Sequence, residues 1–172
     1  MLFRSDIEVL WAPTEAASGE ALRRAFDAYP VAMQTGHSLG DRLSMAFSER
    51  FFFHRTEKIV AIGVDEPSLR RALIDDAVSL LESCDWVVGP AADGGYYLIG
   101  CRAAAFDSAI FSGIEWGTER VFTETLAKIR AWGTTVAVLP LRNDIDVIDD
   151  LRRYAADARD GHLAQLVREW SV

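Results

Sequence analysis

The sequence has no apolar run of the roughly 18 residues that a transmembrane helix requires. Its first residues, Met1 to Asp6, lack the basic region followed by an apolar one that marks a signal peptide. It has only two cysteines, Cys84 and Cys101, which lack the clustered spacing of a zinc site, so we interpret both as small buried residues. These absences predict a cytoplasmic protein with no membrane span.

Several catalytic motifs are also missing. Neither a Walker phosphate loop nor a G-x-G-x-x-G fingerprint occurs in the chain. The three histidines, His37, His54 and His162, have no partner visible in the sequence, so no Ser-His-Asp or Cys-His arrangement can be argued.

The composition predicts one globular domain over residues 1–172, half of them hydrophobic. The net charge of −8 argues against binding to nucleic acid or to an anionic membrane, since both require basic patches. A nucleotide remains a candidate ligand, because Mg²⁺ or Mn²⁺ can bridge acidic residues and phosphates.

The hydrophobic pattern predicts strands that alternate with helices. Apolar runs typical of strands cover residues 7–11, 58–63, 86–89, 96–100 and 135–139, and residues 31–33 form a shorter one. Helical spacing covers a segment after Pro13 capped by Ser18, then residues 41–52, a helix beginning at Pro67, residues 118–132, and residues 147–170 divided near Gly161. This alternation predicts a three-layer, Rossmann-like α/β domain with a mostly parallel sheet.

Acidic loops follow several of these strands, at the sheet edge where α/β proteins bind ligands. Asp65 comes directly after a buried strand and either ligates a hard cation or caps the following helix. Asp144 and Asp146 share one side of an extended segment, which suits metal coordination. The alternative is a capped helix start, which we prefer for Asp149 and Asp150.

Two further loops allow a functional and a structural interpretation. Asp93-Gly94-Gly95 either lets the backbone approach a ligand closely or forms a tight turn between two strands. Trp116 either stacks on a base or sugar or serves as a large apolar anchor, and Thr118 is expected to cap the next helix. The residues alone leave these alternatives open.

Five blocks together resemble the DUF2064 family of glycosyltransferase-like proteins with a GT-A-like nucleotide-diphospho-sugar transferase fold. The blocks are QTGHSLGDRL at 34–43, GVDEP at 63–67, GPAADGGYYLIG at 89–100, WGT at 116–118, and DID at 144–146 before DDL at 149–151. The likeness runs from about Ile7 to Leu151, and the block from Gly89 is the most specific.

The resemblance implies a metal-dependent transferase that binds a nucleotide or nucleotide sugar, with Mg²⁺ or Mn²⁺ as the cofactor. It assigns Asp65, Asp144 and Asp146 to the metal, and Asp93 and Asp146 to catalysis. The substrate-binding residues that it implies are Gly36, Gly40, Arg42, Gly94, Gly95, Tyr96, Trp116 and Thr118. A carboxylate would act as base toward an acceptor hydroxyl.

Two departures from the family pattern stand out. Members usually open with a further strand and a loop of the type Lys-Ala-Pro-x-x-Gly-x-x-Lys-Thr-Arg, which nothing in this sequence matches. An exposed strand edge would follow, so a homodimer is one hypothesis. The segment from Gly36 to Gly40 also replaces the usual Gly-Asp-Leu-Gly.

The alternative functions are a nucleotidyltransferase acting on a phosphorylated small molecule, or a degenerate nucleotide-binding or regulatory domain without catalysis.

Overall fold

The computed structural model describes residues 7–11, 23–24, 26–143, 145, 147–157 and 162–170. The strands are β1 (Val9–Trp11), β2 (Val31–Met33), β3 (Lys58–Ile62), β4 (Trp86–Pro90), β5 (Tyr96–Arg102) and β6 (Val136–Val138). The helices are α1 (Leu39–Phe52), α2 (Arg71–Leu80), α3 (Val121–Ala131), α4 (Ile148–Asp157) and α5 (His162–Trp170). Two short 3₁₀ turns, Ala103–Ala105 and Ser108–Phe111, connect β5 to α3.

The described strands form two sheets. The larger one has the order β3-β5-β4-β6, in which β4 and β6 are parallel and β5 runs antiparallel to both of its neighbours. Strands β1 and β2 form a separate parallel pair. Strands β3, β4 and β6 therefore point the same way, and their carboxyl ends lie on the same side of the sheet. We call this side the carboxyl end of the sheet, and the opposite side its amino end.

Helices cover both faces of the larger sheet, as the expected three-layer architecture requires. On one face, Phe47 of α1 and Ile129 of α3 pack against Trp86 and Ile99. On the other face, Ala77 of α2 joins the cluster around Val87, Leu98 and Leu139. Every residue of β4 is buried, because this strand lies inside the sheet and under both helical layers.

Edge strand β3 is only half-buried along most of its length, and its last residue, Ile62, is exposed. The sequence predicted a strand covered on both faces here, because the run is continuously apolar. A strand at the sheet edge has a neighbour on one side only, so the same composition gives less burial.

Helix boundaries differ from the sequence prediction where the backbone N–H groups find hydrogen-bond partners in a cap or in a separate turn. Helix α1 begins two residues before Asp41, because Ser38 and Asp41 form a reciprocal capping box. The prediction that a helix begins at Pro67 is wrong, since α2 begins at Arg71. Residues 66–69 form a separate turn in which Leu69 N–H donates to the Glu66 carbonyl, 3.1 Å away.

The chain ends in a helical hairpin, α4 followed by α5, as the break near Gly161 predicted. Ala155, Ala164 and Val167 form its own small core. Asp149 and Asp150 lie in the first turn of α4, and the Asp150 carboxylate accepts from the Val147 N–H at 3.1 Å. The structural interpretation of these two acidic residues is therefore confirmed.

The helix expected around Ser18 lies largely outside the described residues, and so do Asp144 and Asp146. Cys101 is buried as expected, and burial raises the pKa of its thiol, whereas Cys84 is only half-buried. Within the described segments, no helix has the length and apolarity needed to cross a membrane.

Candidate functional site at the carboxyl end of the sheet

The loop after β3 and the segment after β6 meet at the carboxyl end. Asp65 lies in the first loop, and its carbonyl oxygen accepts a hydrogen bond from the Ile145 N–H at 3.0 Å. Ile145 stands between Asp144 and Asp146 in the sequence. The fold therefore brings the segment that carries those two aspartates to the main chain of Asp65.

Asp65 itself does not cap a helix. The N-cap position of α2 is Arg70, five positions later, whose side chain makes no capping bond, so the capping alternative for Asp65 is wrong. Asp65 is exposed, and its carboxylate has no hydrogen-bond or ion-pair partner within the described part of the chain. Its Oδ1 lies over Gly63, where a Cβ atom would stand 2.5 Å away. Gly63 thus leaves room for this carboxylate beside the end of β3.

Arg142 joins three loops at the carboxyl end of the sheet through its main chain and its side chain. Its N–H donates to the Pro90 carbonyl at 3.1 Å, and its carbonyl accepts from the Ala92 N–H at 2.9 Å. Its guanidinium reaches the loop after β3, donating to Glu66 Oε2 at 3.1 Å and to Ser68 Oγ at 2.8 Å. One residue therefore connects the loops that follow β3, β4 and β6.

Glu66 is the buried acidic residue at the carboxyl end of the sheet, with a side chain only 1% exposed. Its other oxygen, Oε1, accepts from the Ser68 N–H at 2.8 Å and from the Ser68 hydroxyl at 2.5 Å. A buried carboxylate requires both a cation and hydrogen-bond donors, and Arg142 and Ser68 supply them. The sequence did not reveal Glu66, Ser68 or Arg142 as a unit, because Glu66 and Arg142 are 76 residues apart.

The turn from Asp93 to Gly95 connects β4 and β5 as an antiparallel hairpin, which favours its structural interpretation. Asp93 Oδ1 accepts from the Gly95 N–H at 2.7 Å. Gly94 has φ +92°, and a Cβ atom there would overlap the backbone of Glu119. The Gly94 carbonyl also accepts from the Phe122 N–H at 2.8 Å. Gly94 is therefore explained by its close contact with the start of α3, while the Asp93 side chain remains exposed.

The loop before α1 packs against the segment that carries Trp116. A Cβ atom on Gly40 would lie 2.5 Å from the Trp116 indole nitrogen, so this glycine permits a close contact between α1 and the indole. Gly36 has φ +128°, and its carbonyl accepts from Arg42 Nε at 3.4 Å. Gly36 in the loop, with Gly40 and Arg42 in the first turn of α1, thus holds this segment beside Trp116.

Trp116 also contacts Tyr96 edge-on, with the two ring centroids 6.2 Å apart. Trp116 is half-buried against the core, as an apolar anchor would be. Burial raises the pKa of the Tyr96 hydroxyl. The ring of Tyr96 packs edge-on against Trp116 and helps to fix the position of the indole.

The prediction that Thr118 caps the helix is wrong. Helix α3 begins at Val121, preceded by Arg120, which makes no capping bond through its side chain. The Thr118 hydroxyl donates to the Glu115 carbonyl at 2.7 Å and accepts from the Arg120 N–H at 3.4 Å. It therefore stabilises the turn before the helix.

The proposed metal ligands are described only in part. Among the residues that the structure describes, no group of three or more His, Cys, Asp or Glu is arranged to hold a metal ion. Asp65 fits such a role as a single donor, since its oxygens are exposed and hard divalent cations prefer carboxylate ligands. The other expected donors, Asp144 and Asp146, lie outside the described residues.

The candidate residues belong to one continuous rim of loops. From the loop after β3, contacts run through Ile145 and Arg142 to Ala91, whose N–H donates to the Gly95 carbonyl at 3.1 Å. From Gly94 they continue to the start of α3, and from Trp116 to Gly40. The larger sheet thus carries at its carboxyl end a ring of loops with the exposed carboxylates of Asp65 and Asp93. This arrangement defines a Rossmann-like α/β domain with a candidate ligand site at that end.

Comparison with known proteins places this domain in a family. The model of DUF2064, described as an uncharacterized protein conserved in bacteria, matches residues 3–118. The chain therefore belongs to the DUF2064 family. A search of curated proteins found no match.

Several solved structures resemble the chain, including the following two. A "putative nucleotide-diphospho-sugar transferase" from Desulfovibrio desulfuricans G20 is 32% identical, with a TM-score of 0.88 over 97% of this chain and 74% of that one. Molybdopterin-guanine dinucleotide biosynthesis protein A from Archaeoglobus fulgidus is 11% identical, with a TM-score of 0.46 over 94% of this chain and 77% of that one. The second likeness is too weak to carry a functional argument.

Proposed function

We propose that the protein is a metal-dependent glycosyltransferase that uses a nucleotide-sugar donor. The observation that carries the proposal is the hydrogen bond from Ile145 N–H to the Asp65 carbonyl. It brings the two acidic segments together at the sheet edge where α/β folds bind ligands. The similarity to a structure described as a nucleotide-diphospho-sugar transferase supports the same ligand class.

In this proposal Asp65, Asp144 and Asp146 hold Mg²⁺ or Mn²⁺. When bound, the cation would neutralise the charge of the donor diphosphate. Asp93 and Asp146 are the candidates for the base that accepts the proton of the acceptor hydroxyl. The exposed Asp93 carboxylate keeps its Oδ2 free of hydrogen bonds within the described part of the chain.

The substrate contacts proposed are Gly36 of the loop before α1, Gly40 and Arg42 of α1, the hairpin residues Gly94, Gly95 and Tyr96, and Trp116 with Thr118. For Tyr96 and Gly40 the role is to shape the site, because both lie against Trp116. Trp116 is half-buried and retains an exposed part that can stack on a base or sugar.

A titration of thermal stability tests the proposal. The protein is heated with nucleotides and nucleotide sugars in the presence of Mn²⁺, Mg²⁺ or EDTA. A ligand at 100 times its dissociation constant should raise the free energy of unfolding by about 2.7 kcal/mol. A shift that requires the metal and one class of nucleotide is expected, and no shift with any of them would contradict the proposal.

An analysis of reaction products separates the proposed glycosyltransferase from the two alternative functions. A nucleotidyltransferase would release pyrophosphate on donor turnover, whereas a glycosyltransferase would release a nucleoside diphosphate and free sugar. A degenerate binding domain would show a thermal shift at most, with neither product. Product analysis on any ligand that stabilises the protein therefore decides among the three.

A homodimer is the proposed assembly. Strand β3 hydrogen-bonds only β5, and its other edge has no strand partner in the described part of the chain. An unpaired edge is a surface on which another strand can add. Native mass spectrometry should show the dimer, and a monomer at all protein concentrations would contradict it.

A further inference from the structure

The ion pair between Glu66 and Arg142 lies beside the candidate site without being one of its proposed ligands. Glu66 directly follows Asp65, and Arg142 stands three residues before Ile145. The pair therefore spans the same two segments that the hydrogen bond from Ile145 to Asp65 joins. Any displacement of one segment from the other would separate both contacts together.

The surroundings of the pair show that it is built into the fold. The Glu66 side chain is 1% exposed and that of Arg142 is 27% exposed. Both Glu66 oxygens are satisfied, one by Arg142 and the other by Ser68. Arg142 is fixed in turn by its main-chain bonds to Pro90 and Ala92, which belong to the end of β4 and the following turn.

Among the described residues, the hydrogen bonds that join the two segments are the main-chain bond from Ile145 to Asp65 and the bonds that the Arg142 guanidinium donates to Glu66 and Ser68. The main-chain bond from Ile145 to Asp65 is a single neutral hydrogen bond. A hydrogen bond between charged groups is roughly twice as strong as a neutral one and is more directional when a guanidinium donates it. The charged pair is therefore the strongest of these links between the Asp65 loop and the segment after β6.

We propose that Glu66 and Arg142 are positioning residues. Their ion pair holds Asp65 beside Ile145, and in this way sets the affinity of the proposed site for a divalent cation. The inference rests on the proposed function for the identity of the ligand. Partners that orient metal ligands in this indirect way typically change metal affinity by about 10–100-fold when they are replaced.

The test compares Glu66→Gln with Asp85→Asn. Glutamine retains an oxygen for Ser68 but removes the charge that holds Arg142. Asp85 forms a similar pair with Arg102 at the amino end, 2.7 Å apart, and serves as the matched control. Two quantities are measured in each variant: the affinity for Mn²⁺ alone, by electron paramagnetic resonance, and the amide exchange rate of Ile145 relative to that of Ile99 in β5.

We expect Glu66→Gln to weaken Mn²⁺ binding about tenfold and to raise the relative exchange rate of Ile145 by a similar factor. Asp85→Asn should lower the melting temperature and leave both quantities unchanged. An unchanged relative exchange rate at Ile145 in Glu66→Gln would overturn the proposal.

A double substitution, Glu66→Leu with Arg142→Met, separates positioning from general stability. It leaves no buried charge unpaired, so the melting temperature should recover toward that of the unmodified protein. Mn²⁺ affinity and the protection of Ile145 should remain low, because the link between the segments is still absent. Recovery of both would show that the pair acts only through stability and would overturn the proposal.

Failure of the proposed function has a different signature. If the unmodified protein binds no Mn²⁺, the metal assignment fails whatever the variants do. The exchange rate of Ile145 then decides alone whether Glu66 and Arg142 hold the two segments together: faster relative exchange in Glu66→Gln supports it, and an unchanged rate overturns it.

Discussion

The two ends of the larger sheet each contain a carboxylate paired with an arginine, but they use it differently. At the amino end, Asp85 accepts from Arg102, from the Thr135 N–H and from the Thr135 hydroxyl, all within 2.9 Å. These bonds join the start of β4 to the end of β5 and the start of β6. Both carboxylate oxygens of Asp85 thus take part in holding strands together.

At the carboxyl end, Glu66 takes the structural role and Asp65 beside it stays exposed. Adjacent acidic residues thus divide two tasks: one is buried and paired, and the other is left to face solvent. The comparison shows that an acidic residue at a strand end indicates function only when the fold leaves it unsatisfied. Asp65 meets that condition within the described residues, and Asp85 does not.

The largest expected contrast comes from removing one aspartate at each end. Asp65→Ala should abolish the metal-dependent thermal shift, a loss of about 2.7 kcal/mol at 100 times the dissociation constant, with little effect on the free protein. Asp85→Ala should destabilise the free protein and preserve the shift. Thermal titration with and without EDTA checks both, and a shift that survives in Asp65→Ala would remove Asp65 from the site.

A second contrast uses two glycines with positive φ. Gly94→Ala at the carboxyl end should cost about 2 kcal/mol or more, since alanine disfavours φ +92° and would also overlap Glu119. Gly133→Ala toward the amino end has φ +71° and nothing within 4 Å, so it should cost only about 1 kcal/mol. Urea unfolding measures both, and equal costs would show that the contact with Glu119 adds no strain.

The smallest effect concerns pH. Hydrogen bonds from the Thr135 backbone and hydroxyl, together with Arg102, lower the pKa of Asp85 in the folded protein. A depressed folded pKa contributes stability that is present above the unfolded pKa of about 3.9 and is lost as pH falls through the folded value. Unfolding free energies measured from pH 5 to 2 should therefore fall less steeply in Asp85→Asn than in the unmodified protein. An identical slope would contradict the lowered pKa.

Much of the fold could be predicted from local pattern. The buried strand at Trp86 and the helix around Phe47 follow from apolar runs and helical spacing, which report burial directly. Helix starts were less predictable: Pro67 and Thr118 each suit a first turn, yet nearby side chains form other turns there. The antiparallel direction of β5 was left open, because the tight-turn interpretation of Asp93-Gly94-Gly95 competed with a ligand loop.

The sequence by itself determined the α/β class, the family and the acidic residues that end up at the carboxyl end of the sheet, because these depend on composition and spacing along the chain. Only the tertiary structure decided which of the described carboxylates have a hydrogen-bond or ion-pair partner and which do not. Glu66 and Arg142 meet across 76 residues through the sheet order, and that pairing leaves Asp65 exposed. Such long-range contacts are set by how the strands are arranged, and no local pattern records them.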